Sequence, residues 1–509
     1  MGNFLLALLP IVIILYLMVV NRWGAARAGS AGYLSAMAVA IIFFGATPEL
    51  LAYAHSKALM LALDVLLIIW AAFLLYRVAD EAGAIRTIGL ALPHLTPDRG
   101  MQAIIIGWVF ASFLQGVGGF GVPVAVIAPI LVGLGFPPLS AVVIPSIGHG
   151  WAVTFGSMGS SFQALLAATN QPEALLAPPS ALFLGISGVF VGLMVAHAAD
   201  GWPAVKRLLF PILILGVVMG TVQYLVAVYG TWNIAAFIAG LFGLIVGFPL
   251  AYRNQKQKNS TNGELDWKSL LVAISGYAIL ILITLGIQLI PAIHQFLGQV
   301  SLQIDFPEIR SSLGYITPAG TSRKIVIFRH TGVILFYASV IAYLVYHKAG
   351  LYKSGSVKRI LDGTLRKVMS SSVSILSMIS MAVIMEHVGM TESLARGLAE
   401  GVGSLFPLAS PWIGALGAFM TGSNTNSNVV FGGLQLRTAE ILGYSVPIIL
   451  AAQTAGAALA SVMAPTKVVV GASTAGMAGK EGEVMRHLLK YTGLLVFLIS
   501  LLAMAAIWL

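Results

Sequence analysis

The chain has 509 residues and no cysteine. That excludes a disulfide framework and every thiolate chemistry, from metal ligation to nucleophilic catalysis. Charge is nearly as scarce: only 9% of residues are Asp, Glu, Lys or Arg, against about 25% in soluble globular chains. This excludes an ordinary water-soluble enzyme and a disordered chain. Acids are the scarcer sign, 18 against 28 Lys and Arg, and no acids and histidines recur at the spacing of a closed metal site. No G-x-x-x-x-G-K-[ST] segment occurs, so the phosphate cradle of a pump is missing.

What the chain has is apolar length, with 58% hydrophobic residues. A bilayer span takes about 20 of them. The first run ends at Val20, and others cover residues 31–46, 59–79, 138–168, 181–199, 208–229, 232–251, 269–291, 331–347, 369–388, 444–474 and 491–508. These make about 12 transmembrane helices. Two more runs, 101–132 and 407–436, are broken by glycine near their middles. Each half is about 14 residues, or about 21 Å of helix, too short to span. Both predict re-entrant hairpins. The expected fold is an all-α polytopic membrane protein.

Basic residues orient it. Arg22 and Arg27 follow the first apolar run, the reverse of a cleaved signal peptide, so the first span is retained and both termini lie outside. On this topology the cytoplasmic side holds twenty Lys and Arg and the outside seven, with Lys467 at membrane depth. Residues 252–268 form a polar cytoplasmic linker between halves 1–251 and 269–509, and 292–330 an external loop.

The halves match internally. Gly83 precedes Gly116 by 33 residues, and Gly389 precedes Gly422 by the same interval. Gly135 and Gly148 match Gly443 and Gly456 at an offset of 308. Such coincidences are cheap among 55 glycines; the repeat rests on spacing, hydropathy and charge agreeing. The charge pattern puts the ends of one hairpin inside and of the other outside. An inverted-topology repeat with broken helices predicts a secondary transporter with its site at the midplane.

The chemistry belongs at the tips. The first carries Gln115, Gly116, Gly118 and Gly119; the second carries Ser423, Asn424, Thr425, Asn426 and Asn428. Glycines allow close backbone approach, helix N-termini offer N–H groups to an anion, and hydroxyls and amides add neutral donors. Close helix packing is the plainer reading of the glycines. It does not serve the second tip, where successive polar residues are costly in lipid. A broken helix follows each hairpin, 138–168 with His149 and Ser157, and 444–474 with Thr466 and Lys467. Lys467 offsets a carboxylate in this reading, or it snorkels. Ionisable groups inside spans are functional candidates, so His149, Glu386 and Asp64 are the candidates to carry a coupled proton. No acid is placed to orient His149 against Ser157 for catalysis, so the chain is read as a transporter and not an enzyme.

At these residues the sequence resembles the bacterial L-lactate permease family. Residues 113–125, Phe-Leu-Gln-Gly-Val-Gly-Gly-Phe-Gly-Val-Pro-Val-Ala, resemble the family's F-L-E-G-A-A-G-F-G-A-P-V-A. Residues 131–136 resemble its L-V-G-L-G-F, and residues 414–425 its G-x-L-G-A-F-x-T-G-S-D-T. The resemblance implies proton-coupled uptake of lactate or glycolate at the plasma membrane. It also implies kinship with the wider ion-transporter superfamily, whose members often move by an elevator motion and form dimers. Ser423, Asn424 and Thr425 resemble the carboxylate- and sodium-binding triplet of divalent-anion symporters in that group. The chain is divergent: the family's Glu is Gln115 here, its Asp is Asn424, and His149 and Lys467 stand where neutral residues are expected. This sets a proton-coupled monocarboxylate symporter against a sodium-coupled symporter of another small anion, with sodium at the second tip. An anion channel is the alternative of another class. No resident cofactor is expected.

Overall fold

The structure is a computed structural model. It describes residues 2–21, 23–91, 96–119, 121–253, 267–322 and 324–508. Most of the expected linker, the basic residues Arg22, Lys256, Lys258 and Arg323, and Phe120 of the first tip lie outside the described residues. Among those described, ten helical stretches are long and apolar enough to cross a membrane.

Helices α1 (Gly2–Val19), α2 (Ala25–Phe43) and α3 (Pro48–Glu81) open the chain. Thr47 caps α3, its Oγ1 accepting from Leu50 N at 3.2 Å. Gly83, at φ +74°, turns the chain into α4 (Ala84–Ala91). A helical stretch then runs from Arg99 to Val117, buried throughout from Ala103 onward. It comprises α5 (Arg99–Gln102), a π-helical segment (Ala103–Phe110) and α6 (Ala111–Val117). Helix α7 (Val122–Gly133) follows and packs back against α6. After Gly135 come α8 (Pro138–Gly150) and α9 (Ser160–Thr169), separated by nine non-helical residues, 151–159.

Next, α10 (Glu173–Val226) is broken at Asp200 and Gly201. Its arms fold against each other: a Cβ on Gly185 would lie 3.3 Å from the Gly220 Cα. The runs 181–199 and 208–229 are thus an antiparallel helix pair. Helices α11 (Ala235–Arg253) and α12 (Trp267–Leu289) flank the linker.

The segment expected as an external loop departs from the all-α expectation. After α13 (Pro291–Leu297) it forms a β-hairpin with antiparallel pairs Ser301↔Val326, Asp305↔Thr321 and Ile309↔Thr317. Each ladder is two residues long, interrupted by Pro307 and Pro318, too short for a period-two signal. Ser312 at its tip donates to Gly45 O at 2.8 Å, and Thr317 Oγ1 lies 3.2 Å from His387 Nδ1.

Helices α14 (Thr331–Lys348) and α15 (Ser356–His387) follow. Gly389, at φ +82°, turns into α16 (Met390–Val402). Then come α17 (Phe406–Thr421), α18 (Asn424–Leu442), α19 (Val446–Ala460), a 3-10 turn (Ser461–Met463), α20 (Pro465–Thr474) and α21 (Glu481–Trp508). The order of elements from α14 to α21 is that from α2 to the first arm of α10.

Helices α3 and α15 lie antiparallel. Lys57 faces Glu386, and Trp70 Nε1 donates to Ser372 Oγ at 2.9 Å. Helix α2 packs on α15 as α14 packs on α3. Elsewhere α18 packs on α9 as α20 packs on α7. The sequence-matched glycines sit at matching crossings. A Cβ on Gly148 would come within 1.8 Å of Gly107 O, and one on Gly456 within 2.1 Å of Pro411 O. At both, backbone meets backbone, as small residues allow in membranes.

Candidate functional site

The two tips converge on the interruption between α8 and α9. At the first, Gly119 N donates to Ser157 Oγ at 2.9 Å. Ser157 N and Met158 N return to Gln115 O and Gly116 O at 2.7 and 3.1 Å. A Cβ on Gly119 would stand 2.1 Å from Ser157 Oγ, so a side chain there would displace the hydroxyl. Ser157, Met158 and Gly159 have φ of 48°, 54° and 73°. Two non-glycine residues held left-handed cost on the order of 1–3 kcal/mol each. The surrounding backbone bonds hold them. Gln115 Oε1 is buried without a hydrogen-bond partner.

At the second tip, Gly422 ends α17 at φ +71°. Ser423 caps α18, its Oγ accepting from Asn426 N at 3.3 Å. The first turn of α18 then meets both broken helices. Asn424 Nδ2 donates to Thr154 Oγ1 at 3.0 Å and lies 3.4 Å from Thr454 Oγ1. The two threonine hydroxyls are 3.2 Å apart. Asn428 Nδ2 donates to Thr454 Oγ1 and Ser161 O, both at 2.9 Å. Thr425 Oγ1 lies 3.0 Å from Ser161 Oγ. Asn426 turns away, donating to Ser374 Oγ on α15 at 3.0 Å. These side chains are buried, and Asn428 Oδ1 has no hydrogen-bond partner.

The contact between Thr425 and Ser161 joins the first turns of α18 and α9, so two helix N-termini border one buried cluster of hydroxyls and amides. Each terminus carries about half a positive charge. Two such ends together favour an anion.

The remaining predicted residues spread around this centre. A Cβ on Gly422 would lie 2.6 Å from Thr466 Oγ1, so Thr466 borders the second tip. Lys467 is buried, its Nζ donating to Ser461 Oγ at 3.1 Å. His149 Nδ1 is 2.6 Å from Pro145 O, and its buried Nε2 has no hydrogen-bond partner. Glu386 does not join them: its side chain is 52% exposed and 3.6 Å from Lys57. Asp64 also stands apart, buried with His330 Nε2 2.9 Å from Oδ1.

Sequence reasoning placed Thr154, Ser161 and Thr454 in segments facing the tips without naming them as site residues, and it missed Ser374 and the role of Thr454 as the hub of the cluster. Both threonines lie in the broken-helix segments already singled out. What assigns them is the convergence of 154 and 454, which no local pattern carries.

Comparison with known proteins agrees with this architecture. The chain is 28% identical to the L-lactate permease of Halalkalibacterium halodurans, over 83% of this chain and 81% of that one. It is 26% identical to the L-lactate permease of Escherichia coli K12, over 84% and 81%. It is 27% identical to the glycolate permease GlcA of the same strain, over 98% and 95%. The YdaH transporter of Alcanivorax borkumensis, a solved structure, is 15% identical. It superposes with a TM-score of 0.50 over 91% of this chain and 90% of that one, a likeness of fold. The model of the L-lactate permease family matches residues 3–509. With its apolar helices and paired glycine-broken segments, the chain belongs to the L-lactate permease family and is a multi-pass membrane transport protein, not an enzyme.

Proposed function

We propose that the protein is a proton-coupled symporter of a small monocarboxylate such as L-lactate or glycolate, in the bacterial plasma membrane with both termini outside. The observation that carries this reading is the meeting of two helix N-termini at Ser161 and Thr425, inside a cluster of buried neutral donors. The amides of Asn424 and Asn428 now donate to hydroxyls and a carbonyl. A carboxylate has four lone-pair sites and no donor, so it can take over those amide donors while the threonine hydroxyls rotate to donate as well. Lys467 adds charge attraction from the far side, and His149 Nε2 and Gln115 complete the polar lining. The names of the relatives support lactate or glycolate as the substrate class.

In this reading the chain crosses the membrane twelve times. Segments 99–133 and 406–442 are re-entrant hairpins of two inverted repeats. The like order of elements, the turns at Gly83 and Gly389 and the matched crossings at Gly148 and Gly456 support it. Hairpins and broken helices form a block that moves by an elevator motion against α2, α3, α14 and α15, in a homodimer. Ionisable groups carry the proton. Glu386 is half exposed and paired with Lys57, which leaves the buried Asp64 and His149 as the carriers in this reading.

Sodium coupling is the second reading, favoured by the concentration of neutral oxygens at Ser423, Asn424 and Thr425. Uptake of radiolabelled L-lactate into proteoliposomes separates the two. Accumulation driven by an inward proton gradient, saturable and competed by glycolate, is the expected result. Accumulation only with sodium would replace the coupling ion, and flux that never saturates would indicate a channel.

A further inference from the structure

A second buried polar centre lies beside the binding cluster. Asp64 sits midway along α3. Its Oδ1 is 2.9 Å from Nε2 of His330, the residue that caps α14. Its Oδ2 accepts from Gln163 Nε2 on α9. Asp64, Gln163 and His330 are all buried. His330 Nδ1 already accepts from Gly332 N at 3.2 Å, so the neutral ring carries its proton on Nε2 and donates it to Asp64. Gln163 is two residues beyond Ser161, which touches Thr425. One short helix, α9, thus ends in the anion cluster and grips the carboxylate.

We infer that Asp64 is the proton carrier of the transport cycle, with His330 and Gln163 as its positioning residues. This rests on the symporter reading above. With Asp64 ionised, the carboxylate holds both donors, His330 on Oδ1 and Gln163 on Oδ2. One proton taken up on Oδ2 turns that oxygen into a donor. Gln163 then flips its amide to present Oε1, because its Nε2 can no longer donate there. No bond other than O–H forms or breaks, and one proton enters and leaves per cycle. One proton with one monocarboxylate carries no net charge. The flip occurs on the helix whose first turn meets the substrate cluster, which gives each ligand a way to bias the other.

At this level α15 runs from Val368 to Met385 without an ionisable side chain, and α9 has none. On α14 the charged groups His347 and Lys348 are at the opposite end, and its other titratable side chains are Tyr337, Tyr343 and Tyr346. Along α3 the nearest, Lys57, is two turns away, about 10 Å, and Arg77 is farther. Arg329, next to His330, is bound to His294.

The test uses reconstituted full-length protein and Asp64→Asn, a fixed mimic of the protonated acid, with Asp64→Glu beside it. Lactate counterflow needs no net proton movement, whereas accumulation under a proton gradient does. Asp64→Asn is expected to lose at least about tenfold in proton-driven accumulation, with no lactate-induced proton uptake, while counterflow stays within about threefold. Asp64→Glu should regain accumulation. Continued lactate-linked proton uptake in Asp64→Asn would overturn the inference. So would loss of counterflow in both variants, which would mark a structural brace. Infrared difference spectra between acid and alkaline protein give a readout without substrate. The part of the protonated-carboxylic-acid band that Asp64 contributes should be missing in Asp64→Asn, and a band identical to wild type would equally overturn the inference. Should wild type transport no lactate, the substrate reading fails, and this band still decides for or against Asp64.

Discussion

Asn424 shows what one residue does at the centre. Its amide reaches Thr154 and Thr454, hydroxyls from two broken helices that come from opposite halves of the chain. Asn424→Ala removes the shared donor and leaves buried hydroxyls to re-pair. We expect uptake to fall at least about tenfold with membrane insertion unchanged, since each lost hydrogen bond to a charged ligand is worth about 1.5–3 kcal/mol. Insertion is checked by detergent-extracted protein yield, and wild-type uptake would remove the tip from the site. Lys467 acts differently. Its Nζ donates to Ser461 Oγ, and the proposed role is to attract the anion without aligning it. Lys467→Ala should raise the apparent KM for lactate at least about tenfold with kcat much less changed, and an unchanged KM would make it a snorkelling side chain. Residue chemistry was the most legible level. A run of Ser, Asn and Thr inside an apolar segment announces itself because lipid offers it no partners. Asp64 was legible for the same reason, but its partners were not: Gln163 and His330 lie 99 and 266 residues away.

At the scale of elements, glycine-broken hydropathy located both glycine-broken helix pairs and both interrupted helices to within a few residues. The exception was α18, which runs on to Leu442 because Arg437 there pairs with Glu392 and Glu440. The β-hairpin was not legible, its ladders being too short. What holds the elements together is close backbone contact. Gly148 lies on Gly107 and Gly456 on Pro411 with no room for a methyl group. Gly148→Val and Gly456→Val should each lower the Tm of the detergent-solubilised protein, by overpacking of about 1–3 kcal/mol. Similar losses at the two positions would fit two copies of one motif, and a loss at only one would count against the equivalence. Removing the cap, by Ser423→Ala, should cost about 1 kcal/mol and weaken lactate binding, read by the same melting experiment with and without lactate.

For the whole molecule the claim is inversion. Pro137 and Ser445 each precede the first half of a broken helix, 308 positions apart, and both are exposed. Because the chain has no cysteine, Pro137→Cys and Ser445→Cys can be labelled without background. A membrane-impermeant maleimide should reach the first only from the cytoplasmic side and the second only from outside. Labelling from the same side would refute the inverted repeat. The basic residues propose the orientation that this labelling tests. The meeting of the halves was not legible, because α3 against α15 and Thr154 against Thr454 join residues some 300 apart.

The central claim is that two helix N-termini and the Asn424–Thr454–Asn428 cluster hold a monocarboxylate. Its most direct test is equilibrium binding of radiolabelled L-lactate to the purified protein, in parallel with Asn424→Ala. Saturable binding competed by glycolate, and weakened at least about tenfold in the variant, is the predicted result. Equal binding by both proteins would contradict the account.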